Sequence, residues 1–166
     1  TYSAVNLTFD NQGSAPLTFQ YSDVGQIALY AQLVLTEAAP QPAITLTATP
    51  ATLVVKPASL VVRSVSSAAG GSNPGTRASG EGFVAADTML KVELESRNSN
   101  NVATPNFGRE STPEKLRLQL GALVYPSAQS QVDYRQLLVV NGDFSLVPGT
   151  AGRVANSQVA FRDVGT

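Results

Sequence analysis

Two glutamates at alternate positions of one segment are the side chains in this sequence best placed for chemistry. Glu93 and Glu95 lie two residues apart in "TMLKVELES", so on a strand they share one face of the sheet. Paired carboxylates are the groups that carry out glycoside hydrolysis. Lys91 and Arg97 stand on the same face, however, which favours a solvated polar surface. We therefore expect no catalytic pair here.

Other common catalytic and metal-binding residues are missing from the sequence. The chain contains neither His nor Cys, which excludes a Ser-His-Asp triad, a Cys-His pair and the commonest metal ligand. Asp133, Asp143 and Asp163 are candidate calcium ligands, but calcium takes about 6–8 oxygens and no dense, regularly spaced cluster supplies them. We expect a protein that is not an enzyme and has no cofactor, while calcium binding stays open.

The composition and charge of the chain indicate which classes of binding partner to expect. Of the 166 residues, 43% are hydrophobic and only 14% are charged, and the net charge is -1. A typical soluble domain has about 25% charged residues. Lys and Arg are scattered singly along the chain, without the basic stripe that nucleic-acid binding needs. No apolar run approaches the roughly 18 residues of a membrane span. Nucleic acid and a membrane span are therefore not expected.

Alternation of apolar and polar residues predicts an all-β protein. Residues 88–96 and 114–123 alternate with a period of two, as half-buried strands do. Asn141-Gly142 is the strongest short-range signal for a hairpin. Turn signals between short strands favour an immunoglobulin-like antiparallel β-sandwich, with a closed barrel as the alternative. The predicted strands are 17–23, 26–35, 43–50, 51–57, 59–66, 88–96 and 114–123, and the hairpin signal lies within 136–146.

The two alternating segments also predict a pattern of ion pairs. If residues 88–96 pair with 114–123, Glu93 and Glu95 would face Lys115 and Arg117 across the ladder. Such pairs would contribute up to about 1 kcal/mol each and help to fix the register.

An Asp-Val-Gly pattern occurs twice and suggests how the chain is divided. Its two copies are Asp23, Val24, Gly25 and Asp163, Val164, Gly165. The first copy leads into an apolar strand, whereas the second stands at the end of the sequence. We predict the terminal strands of a preceding β-unit in 1–35, a connector that can itself form a strand in 36–57, and an Ig-like sandwich lacking its last strand in 58–166. The parent protein would then continue past Thr166, and the open sheet edge would accept another strand.

A longer pattern resembles a known bacterial family. Phe83, the alternating strand up to Ser96 and the Asn-rich turn over 98–101 are followed by the motif Thr104, Asn106, Phe107, Gly108 and Glu110. This arrangement resembles the C-terminal region of MshQ-type proteins, which are associated with the mannose-sensitive haemagglutinin (MSHA) type IV pilus of Gram-negative bacteria. Residues 21–29 are similar to a second pattern of that family, and the resemblance extends over 17–166. It implies an extracellular, pilus-linked or adhesin-like protein without catalytic residues.

Three functions fit these observations. The first is a non-catalytic structural or adhesive module of a pilus-associated or cell-surface protein, a stiff repeat joined by edge-strand contacts. The second is a filament or virion coat subunit that assembles by strand addition. The third is a carbohydrate-binding β-sandwich, which requires exposed aromatic side chains; the candidates are Tyr30, Tyr125 and Tyr134, although we expect Tyr30 to be half-buried. Expected partners are neighbouring domains or subunits through β-strand edges, and a glycan or host-surface ligand.

Overall fold

The chain is built from β-strands. The computed structural model describes residues 2–37, 42–73, 82–121 and 137–162, and the chain divides into two units, Thr1–Lys56 and Pro57–Thr166. Within the described ranges there is no α-helix, and this confirms the all-β class. The strands are β1 (Gly25–Leu29), β2 (Gln32–Leu35), β3 (Ile44–Thr47), β4 (Ala51–Val55), β5 (Ser59–Ser67), β6 (Met89–Arg97), β7 (Leu138–Val140), β8 (Ser145–Leu146) and β9 (Arg153–Phe161).

The first unit contains one long, interrupted β-hairpin. β1 pairs antiparallel with β4, and β2 pairs antiparallel with β3. Only Tyr30 and Ala31 separate β1 from β2, and the Ala31 carbonyl accepts a hydrogen bond of 3.0 Å from the Ala48 amide, which links the two ladders. The predicted strand 26–35 is therefore one arm of the hairpin, broken in the middle. Tyr30 lies in the break and is exposed, so the expectation that it is half-buried is wrong.

The second arm of this hairpin lies in the segment interpreted from sequence as a connector. β3 and β4 both fall within 36–57, and both pair with residues of 1–35. Residues 17–23, predicted as a strand, belong to no strand. Apolar and aromatic content in that stretch was a misleading signal, because a strand exists only where a partner strand satisfies its backbone groups.

The second unit contains a single antiparallel sheet. Its strand order is β5-β6-β9-β7, and β8 also pairs with β9. β5 therefore forms one edge, while β7 and β8 follow one another along the other side of β9. Two irregularities interrupt the ladders: Arg63 is an extra residue in β5, and the register between β6 and β9 shifts between Leu90 and Val92.

One face of this sheet holds the core. The buried side chains of the core cluster belong to β6 and β9, and burying each contributes roughly 1.5–3 kcal/mol. They are Val92, Leu94, Val154 and Val159, with Val65, Leu90, Phe107, Leu116, Leu118, Leu138, Val140 and Phe144 packed around them. The alternate residues of β6 are charged and point to the opposite face.

The second alternating segment packs against this core without forming a strand. Residues 114–121, the described part of the predicted strand 114–123, belong to no strand. Leu116 and Leu118 contact the core, while Lys115 and Arg117 are exposed. The period of two therefore reflects packing over the sheet's apolar face. The predicted pairing of Glu93 and Glu95 with Lys115 and Arg117 is wrong, because both glutamates lie on the other face of the sheet.

The prediction of a hairpin at Asn141-Gly142 is also wrong. β7 and β8, on either side of this pair, each pair with β9 and not with each other. The Asn156 side-chain amide donates hydrogen bonds to the carbonyls of Asn141 (3.0 Å) and Gly142 (3.2 Å). These bonds hold the chain between β7 and β8 as an irregular excursion from one continuous edge. The hairpin turn lies instead between β8 and β9.

Candidate functional site

A buried carboxylate lies at the centre of the polar face of the second unit's sheet. Glu95 on β6 is only 6% exposed. Its Oε1 accepts a hydrogen bond of 2.8 Å from Arg97 Nε, and its Oε2 accepts one of 2.8 Å from Arg153 Nε on β9. Arg63 Nε, from the bulge in β5, lies 3.5 Å from the same Oε2. Three strands therefore contribute a guanidinium to one carboxylate.

A second carboxylate extends this network. Glu93 Oε1 lies 3.3 Å from Arg153 Nη1, and Glu93 Oε2 lies 3.8 Å from Lys91 Nζ. Arg153 therefore bridges the two glutamates. Lys91 pairs with Glu93, and Arg97 pairs with Glu95. The expected solvation is wrong for Glu95, because arginines from both neighbouring strands cover its carboxylate.

The network shifts the pKa values of Glu95 and Arg153. Burial alone would raise the pKa of Glu95, but hydrogen bonds from Arg97 and Arg153 and the charge of Arg63 outweigh it and hold the pKa below its usual value. The hydrogen bond to Glu95 raises the pKa of Arg153 further. A general acid in glycoside hydrolysis needs a raised pKa. Glu95 has the opposite shift, and guanidinium groups bind both of its oxygens.

The described part of the chain contains no group of side chains suited to bind a metal ion. No three His, Cys, Asp or Glu side chains there are grouped closely enough to hold a metal ion. Asp143 is exposed, and Asp133 and Asp163 lie outside the described residues. The tyrosines Tyr125 and Tyr134, considered for carbohydrate stacking, also lie outside them.

The Thr104 motif forms a tight corner at the end of β6. Thr104 and Ser96 are fully buried, and their hydroxyls hydrogen-bond to each other at 2.5 Å. The Thr104 amide also donates to the Ser96 carbonyl at 3.1 Å. Gly152, which has a φ of +63°, packs so closely that a Cβ there would lie 2.5 Å from the Thr104 carbonyl oxygen. Only glycine fits this corner, because both the backbone conformation and the space exclude a side chain.

The rest of the motif turns the chain back over the core. The Phe107 amide donates to the Thr104 carbonyl at 3.1 Å, and the Phe107 ring packs against the core. A Cβ on Gly108 would lie 3.3 Å from both Leu146 and Val154. Asn106 and Glu110 are exposed. The motif thus brings Thr104, Phe107 and Gly108 together at the core and leaves the other two residues at the surface.

The first Asp-Val-Gly copy opens the hairpin of the first unit. The Asp23 carboxylate accepts a hydrogen bond of 2.8 Å from the Val24 amide, and Val24 is 3% exposed. Gly25 begins β1 with a φ of +129°, a conformation that favours glycine. The second copy, Asp163, Val164 and Gly165, lies outside the described residues. The predicted role of the pair at a sheet edge stays a prediction.

Sequence reasoning missed two arginines of the polar face. Arg63 interrupts an apolar run in "SLVVRSVS", and Arg153 opens the last strand. The available signal was a single cation in each of two strands that are rich in Val. It could not be interpreted, because the bulge at Arg63 and the pairing of β9 beside β6 depend on the tertiary fold.

The strands and their antiparallel ladders define an all-β protein. Residues 1–49 match the model of DUF6701, a domain of unknown function, first Ig-like domain, and residues 56–161 match the DUF6701 second domain. The chain belongs to the DUF6701 family. No curated protein and no solved structure matches it. The finer resemblance to MshQ-type proteins stays a prediction. In the described ranges, no helix is long and apolar enough to cross a membrane.

Proposed function

We propose that this chain is a non-catalytic structural and adhesive module of an extracellular, pilus-associated or cell-surface protein. In this function the module is a stiff repeat that joins its neighbours through the edges of its sheets. The family assignment supports an Ig-like module, and one feature of the second unit carries the rest of the proposal: the open edge formed by β5.

In the described part of the chain, the outer side of β5 is open to a further strand. β5 is nine residues long and pairs with β6 on one side. On its other side, the only pairing among the described residues is an isolated bridge between Ser66 and Ser72. Residues 59–65 therefore present backbone donors and acceptors without a strand partner in the described part of the chain. Unpaired edges of this kind are templates for strand addition.

Apolar side chains accompany this open edge. Leu60 and Val62 lie opposite Ser96 and Leu94 in the ladder, so both point to the core face, yet they are 44% and 57% exposed. An added strand would satisfy the backbone groups at about 0.5–1.5 kcal/mol for each hydrogen bond and would cover these side chains. The same contact, repeated along a series of modules, would transmit force through backbone hydrogen bonds.

Sedimentation velocity across a wide concentration range tests this proposal. The chain should associate reversibly, and the double variant Leu60→Lys/Val62→Lys should stay monomeric, because charges on an edge strand oppose edge pairing. Val102→Lys is the matched control, since Val102 is 58% exposed in the turn after β6 and lies off the edge. It should associate like the wild type. A wild type that is monomeric at every concentration, or a control that dissociates equally, would refute coupling through β5.

A further inference from the structure

We propose that the polar face of the second unit's sheet binds an acidic polysaccharide. We call this surface the cation face. It consists of Arg63, Lys91, Arg97 and Arg153 over Glu93 and Glu95, with Ser59, Ser64 and Ser66 alongside on β5. The proposal concerns a different surface from the β5 edge and does not depend on association of the chain.

The cation face carries a surplus of positive charge. Its four cations are opposed by two carboxylates, a surplus of two on a chain whose net charge is -1. The carboxylates lie underneath, since the side chains of Glu95 and Glu93 are 8% and 14% exposed. Those of Arg63 and Lys91 are 41% and 40% exposed. Solvent therefore meets the positive groups, and an anion is the complementary ligand.

Hydrogen-bond donors remain available on these cations. Arg63, Arg97 and Arg153 all contact Glu95 through Nε. Arg97 also donates from Nη1 to Asn101 Oδ1 at 2.8 Å. The Nη groups of Arg63 take part in none of the ion pairs and hydrogen bonds formed among the described residues. A guanidinium held by one edge can bind a carboxylate or sulfate with the donors that remain.

The shape of the face suits an extended chain. Lys91 and Arg97 stand at opposite ends of β6, about 20 Å apart at the usual rise of a strand. Ser59, Ser64 and Ser66 face Arg97, Glu93 and Lys91 across the ladder, so their hydroxyls lie along the same strip, which Val61 interrupts opposite Glu95. Hydroxyls both donate and accept hydrogen bonds and therefore match the hydroxyls of sugars.

The same features disfavour the other polyanions. β6 pairs with β5 on one side and β9 on the other, so its backbone groups are occupied and a peptide laid over this face would find no backbone partners. Bases of a single-stranded nucleic acid stack on aromatic rings, and the face as described carries none. A glycan needs neither free backbone groups nor aromatic rings, so an acidic glycan fits the cation face best.

Affinity electrophoresis and titration calorimetry with defined probes test the proposal on the full chain. The probes are polygalacturonate, which carries carboxylates, and heparin, which carries sulfates as well. Neutral dextran, polyglutamate and single-stranded DNA are the comparisons. Binding to the two acidic glycans should weaken with salt. The double variant Arg63→Gln/Lys91→Gln should raise the dissociation constant about tenfold or more, because it removes charged hydrogen-bond donors.

A matched variant separates the face from overall charge. Lys115→Gln/Arg117→Gln removes the same two charge types from exposed positions on a segment that packs over the opposite, apolar face. It should bind like the wild type. Unfolding midpoints of both variants check that the fold is intact. Absence of binding to either acidic glycan, equal losses in the two variants, or equally tight binding of polyglutamate or DNA would overturn the proposal. Leu60→Lys/Val62→Lys alters the other face, so the two proposals fail separately.

Discussion

At the scale of single residues, the buried hydroxyls of Ser96 and Thr104 illustrate how polar groups are satisfied inside the second unit. Each hydroxyl is the other's partner, and no buried side-chain polar atom lacks one in the described residues. A buried group that loses its partner costs about 1–3 kcal/mol, whereas removing both groups with shape preserved is nearly neutral.

The prediction for this pair is a strong non-additivity. Thr104→Val and Ser96→Ala should each lower the free energy of unfolding by about 1–3 kcal/mol, and the double variant should lie close to the wild type. Urea unfolding followed by circular dichroism measures all four proteins. Thr52→Val, at an exposed position of β4, should combine additively with either change. Simple additivity of the Ser96 and Thr104 variants would mean that the two hydroxyls do not depend on each other.

Glu95 predicts a pH dependence of stability. Its pKa is lowered in the folded state, while an unfolded glutamate titrates near about 4.3, so the unfolded chain binds more protons in this range. The stabilisation is present above the unfolded pKa and is lost as the pH falls through the folded pKa. Wild-type stability should therefore drop as the pH falls below about 5. Glu95→Gln should be less stable at neutral pH and show a flatter profile in that acidic range.

The matched control for Glu95 is an exposed carboxylate. Glu114→Gln removes a negative charge from an exposed position in the segment that follows the Thr104 motif. This variant should retain the wild-type slope of stability against pH. If Glu95→Gln loses as much stability as the wild type on acidification, the arginines do not stabilise the ionised form of Glu95.

At the scale of elements, Asn156 on β9 joins β7 and β8 into one edge. Its amide donates to two carbonyls of the excursion between them, and its Oδ1 accepts a hydrogen bond of 2.7 Å from the Gln158 amide. The Asn141 amide donates to the Gln158 carbonyl at 2.9 Å. One buried side chain therefore replaces the ladder bonds that the irregularity removes.

Replacing this amide by a carboxylate should be costly. Asn156→Asp keeps the acceptor and sets a second oxygen against two carbonyls, so the free energy of unfolding should fall by more than the roughly 1–3 kcal/mol of an unpaired buried group. Part of the loss should be recovered in acid, where the protonated carboxyl donates again. Asn141→Asp makes the same chemical change at an exposed side chain and should stay within about 0.5 kcal/mol of the wild type. Similar losses in the two variants would contradict the assigned role of Asn156.

The elements also show where sequence reasoning succeeds. Alternation in 88–96 predicted both β6 and its apolar face, because that strand is half-buried and has a ladder partner on each side. The same pattern in 114–121 misled, since leucines alternate against a core whether or not the backbone pairs. The hairpin prediction at Asn141-Gly142 was wrong for a related reason. Turn propensity is a local property, whereas both flanking strands pair with β9 and not with each other. Arg63 and Arg153 could not be joined to Glu95 without knowing the strand order.

At the scale of the whole molecule, the two units differ in how they bury apolar residues. The buried cluster belongs entirely to the second unit, and in the described part of the first unit Val24 is the only buried apolar residue. Large apolar side chains of the first unit are exposed instead: Tyr2, Val5, Leu7, Phe9, Leu17, Phe19, Tyr21, Leu29, Tyr30, Leu33, Val34, Leu35, Ile44, Leu46 and Val54. An isolated hairpin is marginally stable at best, because stability requires further strands or a packed face.

This asymmetry predicts that the second unit folds by itself and the first does not. Residues 57–166 alone should unfold cooperatively in urea at the midpoint of the full chain, whereas residues 1–56 alone should show no cooperative transition. Leu94→Ala should lower the free energy of unfolding by about 2–5 kcal/mol, since it leaves a cavity in the only buried cluster of the described residues. The loss should be the same in the full chain and in 57–166. Limited proteolysis should cut first within residues 1–56. A fragment 57–166 that fails to unfold cooperatively would show that this cluster is not sufficient for folding.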